Sequence, residues 1–152
     1  MNKWHHRFLD LAEYVAQWSK DSTKVGAVIV GPDKEVRSLG YNGFPRGIDD
    51  HIEARHKRPT KYFWSSHAEE NAILNATRAS IPIKGCTLYV QWFPCSTCSR
   101  AIIQSGLKTL VCPELDLDKQ DKKWQEEFKI SREMLEEARI AILFLRRSNN
   151  GT

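Results

Sequence analysis

One histidine, one glutamate and two cysteines in this sequence stand at spacings from which a metal could be both held and used. His67-Ala68-Glu69 sets an imidazole two positions from a carboxylate, and Pro94-Cys95-Ser96-Thr97-Cys98 sets two thiols three apart. Imidazole and thiolate are ligands suited to zinc. Three protein ligands on a tetrahedral ion leave its fourth position for water, which distinguishes a catalytic zinc from a structural one. Glu69 need not bind the metal, and a carboxylate beside an activated water is placed to move protons.

These side chains need elements to aim them. Ser65-Ser66 precede Ala68, Ala72, Ile73 and Ala76, a helical spacing that puts His67 and Glu69 in a first turn. Leu88-Tyr89-Val90 reads as a strand that breaks at Pro94, and Ala101, Ile102 and Ile103 continue as a helix, so both cysteines also fall in a first turn. Two helix N-termini facing one point favour thiolates and a bound hydroxide. Other readings stand beside this one. Glu69 three residues after Ser66 matches a capping box. Cys95-x-x-Cys98 alone matches a redox pair, or half of a four-cysteine zinc site completed by Cys86 and Cys112. Cys86 alternates in phase with Leu88 and Val90, and Cys112 with Leu110, which marks both as small core residues on strands. The redox reading leaves His67 and Glu69 unused.

The rest of the chain reads as one domain over residues 1–152. Its 152 residues, 41% hydrophobic, suffice for a full core. Met1-Asn2-Lys3 leads into a charged amphipathic helix rather than a signal peptide, and no stretch approaches membrane-spanning length. Four cysteines, two of metal type and two at core positions of strands, suit a reducing compartment. The net charge of +4 is mild and its basic residues are interrupted by glutamates, unlike the basic stripe of a polynucleotide binder. Trp4, Phe8, Leu11-Ala12, Val15 and Trp18-Ser19 mark an N-terminal helix, and Val25 to Val30 with Glu35 to Tyr41 form a hairpin around Gly31-Pro32-Asp33. Residues 42–65 form a long loop. The His67 helix, a strand over 86–91, the Cys95 helix to Gly106 and a strand over 108–112 follow. A charged stretch leads to a helix over Ser131 to Ala138 and a last strand from Ile140 to Leu145. Alternating strands and helices imply parallel pairing, with the hairpin adding an antiparallel edge. The expected fold is α/β: a three-layer α/β/α sandwich on a mixed five-stranded sheet, with both metal-bearing helix starts at one end.

H-x-E…P-C-x-x-C is the pattern of zinc-dependent nucleobase deaminases. From Leu11 to Leu145 the chain resembles the cytidine deaminase-like superfamily, and within it the deoxycytidylate (dCMP) deaminases. The narrower resemblance rests on Ser22-Thr23-Lys24-Val25-Gly26-Ala27, on Gly40-Tyr41-Asn42-Gly43-Phe44-Pro45-Arg46-Gly47 and on His67 to Ile73. Gly85 to Val90 and Ala101 to Gly106 add to it. The glycines of the Gly40 to Gly47 loop permit close approach to a ligand and positive φ, and Asn42 offers a donor and an acceptor. An ordinary glycine-rich turn after a strand is the alternative.

The resemblance implies hydrolytic deamination of dCMP to dUMP and ammonia, feeding thymidylate synthesis. Zinc would be held by His67, Cys95 and Cys98, with Glu69 as proton shuttle. It implies that Ser22, Lys24, Asn42, Ala68 and Pro94 contact substrate, although Lys24 also reads as a plain surface lysine. It further implies a cytoplasmic homohexamer (in the host's cytoplasm for a virus-encoded chain), activated by dCTP and inhibited by dTTP, each bound with Mg2+. Gly43, Phe44, Arg46, Gly47 and Asp49 would border that effector, and Arg78 would reach a neighbouring subunit's active site. Where many relatives carry an aromatic residue after the fourth strand, this chain has Val111-Cys112-Pro113-Glu114-Leu115-Asp116. Gln91-Trp92-Phe93 is bulkier than the relatives' small polar residue. His51 and His56 are expected to face solvent and hold no second zinc. Two rivals remain: a polynucleotide deaminase, of tRNA adenosine or DNA cytosine, and a zinc-binding module without activity.

Overall fold

Helix α1 (Lys3–Ala16) starts where the Asn2 side chain accepts a hydrogen bond from Trp4 N, satisfying one of the first-turn amides that a helix leaves unpaired. Its buried face is Phe8, Leu9, Ala12, Val15 and Ala16. The computed structural model describes residues 2–147, so the ends of the 1–152 reading lie outside the described residues. The helix stops short of Trp18 and Ser19, which the apolar spacing had placed on it. Trp18 stays half exposed, edge-on to Tyr14 and Tyr41, while Ser19 is buried and donates to Asn42 O at 2.7 Å.

Five strands follow: β1 (Gly26–Val30), β2 (Val36–Tyr41), β3 (Thr87–Val90), β4 (Thr109–Pro113) and β5 (Ala141–Leu145). The sheet order is β2-β1-β3-β4-β5. β1 runs antiparallel to both neighbours, and β3, β4 and β5 are parallel. The sheet is mixed, as expected, and the hairpin forms its antiparallel edge, with β2 outermost and β1 enclosed between β2 and β3. The cause is composition: every residue of β1 is buried, and a strand apolar throughout must be covered on both faces and both edges. The chain therefore passes over β1 and lays β3 on its far side.

The helices α3 (Ala68–Arg78), α4 (Ser96–Gln104) and α5 (Lys122–Glu137) cover one face, where Ala72, Ala76, Ile102, Phe128 and Leu135 meet Ile29, Leu88 and Leu110. On the other face, Phe8, Leu9 and Ala12 of α1 pack on Val28, Tyr89 and Val111. The loop over 42–65 contains a 3-10 turn, Glu53–His56, and the short helix α2 (Lys61–Trp64). The last helix begins well before the expected Ser131. Asp121 caps Trp124 N at 2.9 Å, and Phe128, Ser131 and Leu135 form a buried stripe within what reads in sequence as a charged stretch. Among the described residues no helix is long and apolar enough to cross a membrane.

Candidate metal centre and active site

Helix α3 is laced to the edge strand before its N-terminus is put to use. Ser38 Oγ donates to Ala72 O at 2.6 Å, Asn71 Nδ2 to Tyr41 O at 2.8 Å and Asn75 Nδ2 to Leu39 O at 2.7 Å. Gly40 permits this approach: a Cβ there would stand 2.3 Å from Ala72 N and 2.5 Å from Ala68 O. Its lack of a side chain thus serves helix packing. Asn71 and Asn75 stand four apart on one helix face and tie it to the strand, a task their polarity alone does not announce.

His67 is the N-cap of α3, and Cys95 is the N-cap of α4. Each therefore sits one position before the first turn in which the sequence placed it. Cys98 Sγ and Cys95 Sγ lie 3.3 and 3.4 Å from His67 Nδ1, and the three ligand atoms fall within 4.8 Å of one another. Cys95 Sγ also accepts from Cys98 N at 3.5 Å. The neighbouring Cys98 thiol, with His67 beside it, draws Cys95 down to about 4, and the same partnership together with burial pushes Cys98 up. Facing the Cys95 thiolate, His67 is raised to about 9. One anionic sulfur, a second thiol and an imidazole at one point form a donor set that fits zinc. Cys86 and Cys112 are buried in the apolar core, and burial raises both thiols, Cys112 to about 12. Among the described residues the ligand atoms that fall together are those of His67, Cys95 and Cys98, with neither Cys86 nor Cys112 among them, which removes the four-cysteine alternative.

Glu69, in the first turn of α3, is buried, and burial raises its carboxyl above the ordinary range. The capping-box reading fails. The cap is His67 and not Ser66, no side chain caps this helix, and Ser66 instead bridges to Gly43 through backbone hydrogen bonds of 3.1 and 2.8 Å. What is left is a buried carboxyl without that structural task, beside an imidazole and two thiols, its proton affinity raised by burial.

The residues assigned to substrate divide into two groups. Ala68 and Pro94 are buried next to the ligands. Asn42 is buried too, but its amide is spent on backbone, Oδ1 accepting from Val25 N at 2.9 Å and Nδ2 donating to Thr23 O at 2.7 Å. It fixes the Ser22–Lys24 segment from beneath. Ser22 and Lys24 are exposed, Ser22 Oγ reaching Asp21 at 3.4 Å and Lys24 Nζ donating to Ser19 O. The same segment is also pinned by two ion pairs. Asp21 pairs with Lys61 at 3.0 Å with both side chains nearly buried, and Lys20 pairs with Asp50 at 2.9 Å. Gln91 Oε1 accepts from Gly26 N at 2.9 Å, and Trp92 and Phe93 join Pro113, Glu114 and Leu115 around a cleft of about 210 Å³. The two departures from the relatives' pattern therefore line one cleft.

The remaining loop residues form a separate group. Phe44 stacks on His56 at 4.6 Å, and His56 Nε2 lies 2.6 Å from Asp50 O, so His56 is half-buried and not solvent-facing; His51 is exposed. Arg46 donates to Asn75 Oδ1 at 2.7 Å, and Asp49 Oδ1 accepts from His51 N at 2.9 Å. Gly47 has φ +82° with open space where a Cβ would project. Arg78 is exposed at the end of α3.

Residues 2–114 match the sequence profile of the cytidine and deoxycytidylate deaminase zinc-binding region. The chain belongs to that family. An uncharacterized deaminase encoded in the luxG 3' region of Aliivibrio fischeri is 41% identical over 146 residues, 95% of each chain. The deoxycytidylate deaminase of Mus musculus is 42% identical over 115 residues, covering 72% of this chain and 64% of the mouse chain, so this chain spans a little under two thirds of that relative. The deoxycytidylate deaminase of Enterobacteria phage T4 is 36% identical over 152 residues, covering 73% of this chain and 78% of the phage chain. The fold matches the dCMP deaminase of cyanophage S-TIM5, solved with dCMP and dUMP, with a TM-score of 0.75 over 95% of this chain and 98% of that one, at 23% identity.

Proposed function

We propose that this chain is a zinc-dependent deaminase converting dCMP and water to dUMP and ammonia. The observation that carries the reading is a single point of convergence: His67 Nδ1 within 3.4 Å of both cysteine sulfurs, with the buried Glu69 on the same helix turn. The names of the mouse and phage T4 relatives support dCMP as the substrate.

His67, Cys95 and Cys98 would hold the metal. Zinc, when bound, supplies the Lewis acidity that makes water nucleophilic at neutral pH. Glu69 takes a proton from the attacking water and delivers it to N3 of cytosine, which makes C4 more electrophilic. Oxygen bonds to C4. Glu69 then carries the second proton to the C4 amine, the C–N bond breaks, and ammonia leaves a uracil ring. A carboxyl raised by burial suits both halves of that shuttle, because its affinity for the proton lies closer to neutrality. The Ala68 and Cys95 amides would bind the polar edge of the base, and Ser22 and Lys24, held in place by Asn42 and the Asp21–Lys61 pair, would face the phosphate.

The same reading includes control by dCTP and dTTP with Mg2+ in a homohexamer. It is supported by the Gly43–Ser66 bridge and the Arg46–Asn75 contact, which join the loop to the residue before His67 and to α3 itself. Moving the loop for an effector would move a metal ligand, a direct physical basis for coupling. The deciding experiment incubates the protein with dCMP, CMP, deoxycytidine, dCTP and single-stranded DNA and follows loss of the cytosine chromophore. Rapid loss with dCMP and little with the others is the expected result. Preferential action on single-stranded DNA, or none on any substrate, overturns it.

A further inference from the structure

We propose that Glu127, on α5, is a positioning residue for the metal centre: its carboxylate fixes the first turn of α4 and, through it, both cysteine ligands. Glu127 Oε1 accepts from Ser96 N at 3.1 Å and from Ser96 Oγ at 3.2 Å. Ser96 is the first residue of α4, directly after the Cys95 cap. The opening amides of a helix have no partner within it. Here the Cys98 amide is served by Cys95 Sγ and the Ser96 amide by Glu127, so one ligand and one distant carboxylate divide the task. A carboxylate at a helix N-terminus is also favoured by the helix dipole, and it adds negative charge one residue from a sulfur meant to face a cation.

Partners of this kind hold ligands in orientation and strengthen a site without touching the metal. Without Glu127 the Ser96 amide loses its acceptor and the first turn of α4 is free to rotate, taking Cys95 Sγ away from His67 Nδ1. Glu127 is half-buried on the wall of a groove shared with Ser96, Arg100, Lys123, Glu126 and Met134. It lies beyond residue 114, where the family match ends, so α5 contributes to the site from a part of the chain that the family pattern does not describe.

The inference rests on the reading that His67, Cys95 and Cys98 bind zinc. The test is zinc affinity of the full chain, measured by competition with a chromogenic chelator, alongside thermal melting and dCMP turnover. Glu127→Ala is expected to weaken zinc binding about 10- to 100-fold. With zinc in excess it is expected to regain most of its turnover at an unchanged KM. Glu127→Gln, whose amide oxygen still accepts, is expected to stay close to the parent. Glu126→Ala, on the same groove but without a bond to α4, is expected to leave zinc affinity unaltered. Should Glu127→Ala fail to fold, Ser96→Ala removes one of the two bonds and is expected to show a smaller loss in the same direction. Zinc held as tightly by Glu127→Ala as by the parent, whatever happens to its melting temperature, overturns the proposal alone. A parent protein that takes up no zinc overturns the metal-centre reading and this one with it.

Discussion

In the proposed reaction Glu69 carries two demands that conflict in most surroundings: it is buried, and it would exchange protons. Burial raises its carboxyl, and no helix cap holds it in place. Glu69→Gln is therefore expected to keep zinc and nucleotide binding while turnover falls by about 10³-fold, since one acid–base group typically contributes 10²–10⁴ and this one acts twice. Near-normal turnover in that variant would return Glu69 to a structural part. The cysteines divide as sharply. Cys95→Ser and Cys98→Ser are expected to lose zinc. Cys86→Ser and Cys112→Ser are expected to keep it, with a lower melting temperature from a hydroxyl placed among apolar neighbours. Elemental analysis of the four purified variants decides the matter. At this scale the convergence of His67, Cys95 and Cys98 was legible in the sequence, because metal ligation restricts both residue type and spacing. What the sequence hid was the division of Asn42, whose amide looks made for a ligand yet is spent on Val25 N and Thr23 O.

Between elements, the site depends on how closely α3 lies on β2. Gly40→Ala forces a methyl group onto helix backbone and is expected to cost about 1–3 kcal/mol in unfolding free energy. Activity is expected to fall as well, because the displaced helix begins with His67 and Glu69. Chemical denaturation and dCMP turnover on one preparation check both effects. The Asp21–Lys61 pair is a second clasp, between the Ser22–Lys24 segment and α2. Burial by itself raises Asp21, but the Thr23 amide and the Lys61 ammonium more than reverse this, and its carboxyl ends below 3.8. A carboxyl lower in the folded than in the unfolded chain adds stability that is complete above the unfolded value and is lost as pH falls through the folded one. Asp21→Asn is thus expected to lose on the order of 2 kcal/mol near neutrality, between an exposed and a fully buried pair. The gap from the parent should narrow below about pH 3.8, which thermal melts across pH will show. These clasps were not legible beforehand. An Asp and a Lys 40 positions apart carry no periodic signal, and side-chain-to-backbone lacing leaves none either. The strands and the two helices that begin at His67 and Cys95 were legible because burial imposes a period on them. The start of α5 was not, since its buried stripe is only Phe128, Ser131 and Leu135, two apolar residues and a serine among charges.

For the whole molecule, the expected assembly and its regulation can be tested together. Turnover at subsaturating dCMP with Mg2+ is expected to be sigmoidal, to become hyperbolic with dCTP and to be suppressed by dTTP, with suppression weakened in Arg46→Ala. Sizing is expected to give a multiple of the chain mass. Hyperbolic kinetics indifferent to both triphosphates, from a protein that elutes as a single chain, would end the regulatory reading and leave the chemistry untouched. The three-layer plan and the hairpin at one edge were readable from the alternation of elements; the place of β1 between β2 and β3 was not, because a hairpin looks the same in sequence whichever of its strands faces the rest of the sheet.

That interior place has a consequence for biosynthesis. A ribosome releases α1, β1 and β2 before β3 exists, so Gly-Ala-Val-Ile-Val must wait with one flank of backbone donors and acceptors unpaired while the long loop and α3 emerge. An open, uncharged, β-branched flank is a template for pairing with another nascent chain. The vulnerable interval in the life of this protein is therefore cotranslational: it closes when Thr87–Val90 zips against β1, and slow elongation through residues 42–86 would prolong it.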